Sequence, residues 1–352
     1  MRARGDRLAE LVKGRELDLL LVTNLVNVRY LTGFTGTSGA CICAADERHF
    51  LTDFRYTERA AAEVEGWEVV TLEGDWLDGL AGRLRGKAGF EDQHLSVRSL
   101  RKLTEKSGDG VELEPAGGLV EELRRRKDEV ELGRIAEAAR LADEVFRWSL
   151  ERGLGGKTER EVARAAEARI RELGAEPSFP PIVATGPNGA LPHAEPGERR
   201  IEPGQLVVFD MGAELDGYCS DCTRTYAVGE PGGAAAQVYE LVRTVQAVSL
   251  EAVAAGREGK AVDAVAREAI ESAGHGDHFG HGLGHGVGLE VHEAPRLSKQ
   301  SEETLAAGDV VTVEPGIYLP GELGIRIEDL VTVTDEGHRN LSGLPKELQV
   351  VD

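Results

Sequence analysis

Few cysteines limit the kinds of site that this sequence can form. The 352 residues contain four cysteines: Cys41, Cys43, Cys219 and Cys222. The spacing of Cys219 and Cys222 suits a metal site, but a zinc site of this kind would need a second such pair, which the sequence lacks. We therefore expect four reduced thiols in a cytoplasmic protein.

Long apolar runs and an excess of basic residues are also missing. No segment approaches the roughly 18 apolar residues that a membrane-spanning helix needs, and MRARGDRLAELVKGRE at the N-terminus is typical of an amphipathic helix rather than a signal sequence. The 41 basic and 62 acidic residues give a net charge of −21. Nucleic acids and anionic membrane surfaces are therefore not expected as partners, because both attract basic patches.

The length of the chain predicts two domains, because single hydrophobic cores rarely grow beyond about 250–300 residues. Three apolar runs are typical of buried strands: residues 17–23, 39–44 and 48–52. Helical segments lie near them, which indicates an α/β domain. Residues 105–118 are rich in glycine and contain Pro115. We place the domain boundary shortly after them, with one domain at 1–122 and the other at 123–352.

An order of elements repeats in the second part of the chain. The predicted elements are helices over 127–152 and 158–173 before a strand-turn-strand ribbon over 206–227, then helices over 235–255 and 260–273 before a ribbon over 309–334. Thr158 and Glu161 form a capping-box pattern at the start of the second helix. The repeated order of helix, helix and ribbon predicts two structurally related halves of roughly a hundred residues each.

Each ribbon carries two acidic residues among apolar neighbours. Folding the first ribbon about a turn at 214–217 places Asp210 directly opposite Asp221, and the second ribbon places Glu314 against Glu328 in the same way. Opposed carboxylates repel one another, and within apolar strands they would also be buried. This arrangement is unfavourable unless a cation lies between them.

Histidines and glycines alternate in the segment HGDHFGHGLGHGVGLEVH at residues 275–292. The glycines argue against a helix and allow the backbone to approach a ligand closely. One imidazole added to four carboxylates suits Mn²⁺, Co²⁺, Fe²⁺ or Zn²⁺, and two such ions can share bridging carboxylates. Such a centre is typical of hydrolytic chemistry. The alternative is a Ca²⁺ or Mg²⁺ site, which the histidine disfavours.

Nine motifs spread over most of the chain carry a family resemblance. They are NVRYLTGFTG at 27–36, LTDFRYTERA at 51–60, LRRRKDEVEL at 123–132, ALPH at 190–193, FDMG at 209–212, SDCTRT at 220–225, HGLGHGVGLEVHE at 281–293, VEPGIY at 313–318 and GIRIED at 324–329. In order and spacing they resemble the pita-bread metallopeptidases of the Xaa-Pro branch, aminopeptidase P and prolidase. The first two motifs resemble the creatinase-type N-terminal domain. The implied fold class is a two-domain α/β (α+β) protein whose pita-bread domain has pseudo-twofold halves.

The resemblance implies a dinuclear site with five metal ligands: Asp210, Asp221, His285, Glu314 and Glu328. Asp221 and Glu328 would bridge two divalent ions, Asp210 would bind one of them, and His285 with Glu314 would complete the other. Glu314 would also accept a proton as general base. Mn²⁺ is the favoured ion, and Co²⁺, Zn²⁺ and Fe²⁺ are alternatives.

Four further residues match family positions at the substrate. His193, His281 and His292 match histidines that hold substrate and steady the tetrahedral intermediate. Support of the metal ligands is the alternative for His281 and His292, and a plain loop position is the alternative for His193. Arg326 matches an arginine that pairs with carboxylates. A purely structural salt bridge is its alternative.

The edge of the substrate pocket departs from the family pattern. Phe179 matches a substrate-binding position, but Pro180 stands where the family would have an acidic or polar residue. The implied reaction is hydrolysis of the Xaa-Pro bond at the N-terminus of a dipeptide, as in prolidase, or of a short peptide, as in aminopeptidase P. We favour the dipeptidase, acting as a homodimer. Two alternatives are a family enzyme acting on a non-peptide small molecule and a non-catalytic relative serving as a binding module.

Overall fold

Two units are distinguished by packing in the computed structural model, which describes residues 1–352 apart from the side chain of Arg2. They are Met1–Arg124 and Arg125–Asp352. The domain boundary predicted after residue 122 stays a prediction, since packing alone does not test whether either unit folds by itself. No helix among the described residues is long and apolar enough to cross a membrane.

The first unit is a six-stranded sheet flanked by helices. The elements that begin in it are α1 (Arg2–Gly14), β1 (Leu19–Val22), α2 (Leu25–Thr32), β2 (Ala40–Ala44), β3 (Arg48–Thr52), α3 (Thr57–Glu63), β4 (Glu68–Thr71), α4 (Trp76–Ala81), β5 (Lys87–Phe90), α5 (Val97–Lys106), β6 (Glu112–Pro115) and α6 (Leu119–Arg125). The strand order is β4-β3-β2-β1-β5-β6, and only β2 runs against the others. β1 is buried along its whole length, as expected of LLLV at the centre of a sheet covered on both faces. The three predicted strands correspond to β1, β2 and β3.

The second unit contains the predicted order of helix, helix and ribbon twice. Its elements are α7 (Glu129–Glu151), α8 (Glu159–Glu172), β7 (Glu176–Pro177), β8 (Ile182–Thr185), β9 (Leu206–Met211), β10 (Ala213–Leu215), β11 (Tyr218–Cys219), β12 (Cys222–Val228), α9 (Gly233–Glu251), α10 (Gly259–Ser272), β13 (Gly284–Gly286), β14 (Glu293–Leu297), β15 (Val310–Val313), β16 (Gly316–Leu319), β17 (Leu323–Arg326), β18 (Asp329–Val333), β19 (His338–Asn340) and β20 (Val350–Val351). The first ribbon is built from β9 to β12, and the second from β15 to β18. α8 begins with the predicted capping box, in which Thr158 and Glu161 each bond the backbone N–H of the other.

Side chains along the ribbon strands alternate between the hydrophobic core and the opposite face, where the candidate site lies. In β9, Val207 and Phe209 pack against α7 and α8, where the Phe209 ring lies 4.8 Å from that of Phe146. Because successive side chains in a strand point to opposite faces, Asp210 points away from these helices. In the second ribbon, Ile325 and Ile327 pack into the core formed with α9 and α10. Arg326 and Glu328, which alternate with them, therefore point away from this core. They point to the same cavity as Asp210 of the first ribbon.

The predicted pairing of Asp210 with Asp221 is wrong. Asp210 lies opposite Thr223, two residues further along the chain. The two-residue turn lies one position further along the chain than expected, since the unpaired residues are Asp216 and Gly217, with φ of 51° and 82°. Positive φ at both central residues defines a type I′ turn, for which Asp-Gly is a preferred sequence. A shift of two residues keeps a side chain on the same face, so both aspartates still share one face.

The second ribbon has the predicted register. Val313 lies opposite Asp329, and Gly316 lies opposite Arg326. The same register holds on both sides of the interruption between these pairs. Glu314 therefore faces Glu328 across the ribbon, as predicted.

The turn assignment can be tested with two glycine substitutions. Gly217→Ala is expected to destabilise the protein by about 1–2 kcal/mol, because an L-residue is strained in the left-handed region. Gly133→Ala is the control: Gly133 lies inside α7 with open space where a Cβ would stand, and alanine stabilises a helix by about 1 kcal/mol relative to glycine. Chemical denaturation of both variants measures the difference, and equal effects would contradict the turn.

Candidate metal centre

Two large cavities differ in the chemistry of their walls. One, of about 950 Å³, lies in the first unit and is lined by residues such as Ser38, Asp53 and Trp76. The other, of about 910 Å³, lies in the second unit and is lined by the predicted site residues. Among the described residues, the only cluster of three or more side chains suited to hold a metal ion lies in this second cavity. The second cavity is therefore the candidate site.

Three buried carboxylates from the two ribbons meet at the base of this cavity. Asp210, Asp221 and Glu328 each offer an oxygen within 4.8 Å of the others, and each is at most 7% exposed. Thr223 donates a hydrogen bond of 2.7 Å to Oε2 of Glu328. In the described structure, Oδ1 of Asp210 and Oε1 of Glu328 are buried without a hydrogen-bond donor. Buried acceptors without donors are what a bound cation would satisfy.

His285 turns a lone pair towards two of the acids. Its Nδ1 lies 3.1 Å from the carbonyl oxygen of Gly286. A carbonyl oxygen only accepts hydrogen bonds, so Nδ1 carries the proton and Nε2 carries the lone pair. Nε2 lies 3.3 Å from Glu314 and 3.6 Å from Asp221. A lone pair facing two carboxylates is repelled unless a cation lies between them, and so all five predicted ligands fit divalent metal ions.

The glycines around His285 bring its strand close to β15. A Cβ on Gly284 would lie 2.0 Å from the carbonyl oxygen of Thr312, so only glycine allows this approach. Thr312 uses its hydroxyl group twice. It accepts a bond from the backbone N–H of His285 and donates one of 3.1 Å to Glu314. The spacing of histidine and glycine in this segment therefore serves to bring His285 against Glu314.

Burial raises the pKa values of the four acids, which favours their neutral forms. It raises the pKa of Asp221 and of Glu328 well above the usual range, and the neighbouring carboxylates add to both shifts. Burial also raises the pKa of Asp210, against the opposing effect of the Arg326 guanidinium, and raises that of Glu314 to about 7. Such shifts arise when like charges are placed together away from water, and a bound cation would reverse them.

Arg326 joins the metal cluster to a second network. It donates to Oδ2 of Asp210 at 2.5 Å, to Thr223 at 2.9 Å and to the hydroxyl of Tyr318 at 2.9 Å. The Tyr318 hydroxyl lies 2.8 Å from Nε2 of His281, whose Nδ1 lies 2.7 Å from the carbonyl oxygen of Gly282. Both ring nitrogens of His281 are therefore bonded within the protein. Burial lowers the pKa of His281 to about 4, so its ring is neutral.

The remaining predicted residues lie on the walls of the cavity. His193 and His292 are both exposed, and the His292 ring lies 4.4 Å from that of His285. Phe179 is half-buried, with Pro180 and Pro181 beside it. Every site residue proposed from the sequence therefore lies at this one cavity.

Sequence reasoning missed two residues: Tyr318, which bonds His281 and Arg326 of the cavity wall, and Arg296, which lines the cavity. Tyr318 ends the motif VEPGIY, and its position within a matched motif was a usable signal. Arg296 lies on β14 and lines the cavity. Of the three arginines on the cavity wall, Arg160 pairs with Glu198 and Arg326 with Asp210, whereas Arg296 has no ion-pair partner among the described residues.

Comparison with known proteins identifies the family. Residues 133–335 match metallopeptidase family M24, and residues 4–126 match the creatinase/prolidase N-terminal domain. The first match covers more than half of the chain, and so the chain belongs to metallopeptidase family M24. The predicted fold class, an α/β creatinase-type domain followed by a pita-bread domain, is confirmed.

Relatives of this chain match it over nearly its whole length. A Xaa-Pro dipeptidase of Pyrococcus furiosus is 36% identical, with 99% of this chain and 100% of its own covered. The solved structure of a Xaa-Pro dipeptidase from Bacillus anthracis is similar with a TM-score of 0.96 and 40% identity, covering 99% of each chain. An X-Pro aminopeptidase from Thermotoga maritima has a TM-score of 0.91 and 35% identity, covering 98% of this chain and 100% of its own.

The network through Tyr318 can be tested by removing one hydroxyl group. Tyr318→Phe is expected to cost about 1–3 kcal/mol, because a buried donor on Arg326 and a buried acceptor on His281 both lose their partner. Tyr226→Phe is the matched control, since the buried Tyr226 hydroxyl has no hydrogen-bond partner in the described structure. Denaturant unfolding compares the two variants. A loss as large in Tyr226→Phe would contradict the assigned network.

Proposed function

We propose that this chain is a dinuclear metal-dependent peptidase that hydrolyses the Xaa-Pro bond at the N-terminus of dipeptides or short peptides. The proposal rests chiefly on one observation: buried carboxylates of two ribbons meet the lone pair of His285 in a cavity large enough for a small ligand. The activities named for the relatives supply the proline preference.

Five side chains would hold two divalent ions: Asp210, Asp221, His285, Glu314 and Glu328. Mn²⁺ is the first choice, and Co²⁺, Zn²⁺ and Fe²⁺ also suit a set of oxygen ligands with one nitrogen. When bound, such ions lower the pKa of a water molecule and polarise the scissile carbonyl group.

Side chains of this chain perform the remaining steps. Glu314 accepts the proton of the attacking water, and Thr312 holds its carboxylate through the 3.1 Å bond to Oε1. Arg326 keeps Oδ2 of Asp210 occupied, which leaves Oδ1 to face the cluster. The proton held by Glu314 can then pass to the nitrogen of the departing proline, which as a tertiary amide carries no N–H of its own.

Substrate is held by groups on the walls of the cavity. His193 and His292 are exposed and polar, and they contact the peptide and the tetrahedral intermediate. Phe179 packs against the apolar prolyl ring. For His281 we favour the alternative role, support of the site, because both of its ring nitrogens are already bonded within the protein. It supports Tyr318 and, through it, Arg326.

Arg296 decides the length of the substrate. Its guanidinium lines the cavity without an ion-pair partner among the described residues, and so it is free to bind a carboxylate with two parallel hydrogen bonds. The free carboxylate nearest the scissile bond belongs to the proline of a dipeptide, since longer peptides have an amide there. This contact favours a dipeptide substrate, and we therefore propose a prolidase rather than an aminopeptidase P.

The remaining expectations extend this proposal. The protein acts as a cytoplasmic homodimer, consistent with its four free cysteines. A non-peptide substrate and a non-catalytic binding role are the alternatives. Both are disfavoured, because a full set of five ligands is kept in a chain whose relatives are named for peptidase activity.

The reaction can be tested with two peptides and one variant. With Mn²⁺ bound, the protein is expected to cleave a Xaa-Pro dipeptide faster than a Xaa-Pro-Pro tripeptide, and to leave a Xaa-Ala dipeptide intact. Asp221→Asn replaces one carboxylate oxygen of a proposed metal ligand with an amide nitrogen and should lower kcat by about 100-fold. Elemental analysis should find two ions per chain in the parent. Two bound ions without cleavage of either proline peptide would contradict the proposed substrate.

The role of Arg296 can be tested by removing charges from both partners. Arg296→Gln is expected to raise KM for the Xaa-Pro dipeptide by about 10–100-fold, the loss of one charge-assisted contact. The Xaa-Pro amide, which lacks the carboxylate, should bind parent and variant equally. Lys299→Gln is the control, because Lys299 is exposed on the same segment and does not line the cavity. An equal loss with acid and amide substrates would contradict the assignment.

A further inference from the structure

His193 lies in the more exposed second part of a loop. The first part of the loop packs closely on β17, where a Cβ on Gly324 would lie 1.8 Å from the carbonyl oxygen of Gly189. The loop runs from Thr185, at the end of β8, to Gly197, and it contains a short 3₁₀ helix over Gly186–Ala190. Leu191 is 58% exposed and His193 is also exposed. Burial therefore does not fix the His193 side chain itself, and hydrogen bonds from outside the loop help to hold the backbone that carries it.

A buried carboxylate closes the base of this loop. Glu159 is the first residue of α8 and is 1% exposed. Its Oε1 accepts bonds from the backbone N–H of Thr185 at 2.9 Å and from Asn188 Nδ2 at 3.0 Å. Its Oε2 accepts from the backbone N–H of Gly197 at 3.0 Å and again from Asn188 at 3.0 Å. Both oxygens are therefore used to bond the loop.

These donors lie on both sides of His193 in the sequence. Thr185 and Asn188 precede it, and Gly197 follows it, so one carboxylate ties the two ends of the loop together. Among the described ion pairs none involves Glu159, and its charge is offset by N–H donors and by the N-terminus of α8. Opening the loop would leave a buried carboxylate without donors, which is strongly unfavourable.

Arg326 holds the same loop near its tip. Its Nη1 donates a bond of 3.2 Å to the carbonyl oxygen of Pro192, next to His193. The loop is thus fixed at its base by Glu159 and near its tip by a residue that also bonds the metal-site carboxylate of Asp210. Two separate holds on one short loop are expected where a side chain must be placed accurately.

We infer that Glu159 is a positioning residue that fixes His193 over the metal centre. Glu159 does not line the cavity, and its side-chain hydrogen bonds go to the loop, so it acts on the reaction through the loop. This inference rests on the substrate role of His193 in the proposed function.

A double-mutant cycle separates positioning from general stability. Glu159→Ala is expected to lower kcat/KM for a Xaa-Pro dipeptide by about 10–100-fold, because a misplacement of about 1 Å can cost that much. In a chain that already carries His193→Ala, the same substitution should lower kcat/KM by no more than about 3-fold, since the loop then has no side chain to place. Equal losses in both backgrounds would overturn the inference.

Glu161→Ala is the matched control for stability. Glu161 belongs to the capping box of the same helix, and its side chain bonds Thr158 rather than the loop. Its removal weakens the N-terminus of α8 as well, but kcat/KM should stay within about 3-fold of the parent at temperatures well below unfolding. A loss as large as that of Glu159→Ala would assign the effect to the helix and overturn the inference.

Hydrogen–deuterium exchange gives a readout that does not depend on activity. Amides in the loop from Thr185 to Gly197 should exchange faster in Glu159→Ala, whereas in Glu161→Ala they should keep the parent's rate. Unchanged exchange in Glu159→Ala would overturn the inference. If Glu159→Ala does not fold, Glu159→Gln is measured in the same way. This variant keeps the volume of the side chain, but it places an amide donor against an N–H group where the parent has an acceptor. A parent that cleaves no proline peptide would defeat the proposed function, while exchange would still test the hold on the loop.

Discussion

Repulsion between buried carboxylates is the constraint on which the second unit depends. Three acids lie within 4.8 Å of one another at the meeting of two ribbons, and two of their oxygens have no donor in the described structure. Without a cation this arrangement would favour protonation or separation of the acids. The surrounding fold must therefore be stable enough to hold the acids together before an ion arrives, and the two helix pairs packed behind the ribbons supply that stability.

The alternation of side chains along each strand determines where the acids lie relative to the core. Every second side chain of each ribbon anchors it to a helix pair, and the side chains between them form the site. Core packing and site geometry therefore cannot vary independently, because a slip of one residue would turn the acids into the core and the apolar anchors into the cavity. Arg326 strengthens this link, since the same guanidinium contacts Asp210, Thr223 and Tyr318.

The face of the ribbon on which each side chain lies was the feature of the fold that the sequence predicted best. The faces on which the acids lie follow from alternation alone, and they survived the wrong register of the first ribbon because the error was an even number of residues. The register itself depended on whether Asp216 and Gly217 form the whole turn, and the preference of Asp-Gly for type I′ turns would have settled it. The motifs, through resemblance, implied a set of five ligands and the fold class, and the family match confirms the fold class.

Partners of single side chains could not be predicted in the same way. The bond between Tyr318 and His281 joins residues 37 positions apart, and the bonds from Glu159 reach as far as Gly197. Neither follows from a local pattern, because each depends on how separate elements pack. Arg296 was missed for a related reason: an arginine is ordinary on a surface strand, and what distinguishes this one is that no acid among the described side chains pairs with it.

The five proposed ligands are divided between two related halves, and this has a consequence for fragments of the protein. Asp210 and Asp221 precede the exposed turn at Glu230, whereas His285, Glu314 and Glu328 follow it. A chain cut at that turn would yield two pieces, neither of which carries a full set of ligands. Tight metal binding would then report the reassembly of the pieces, and the bound ion would itself stabilise their association.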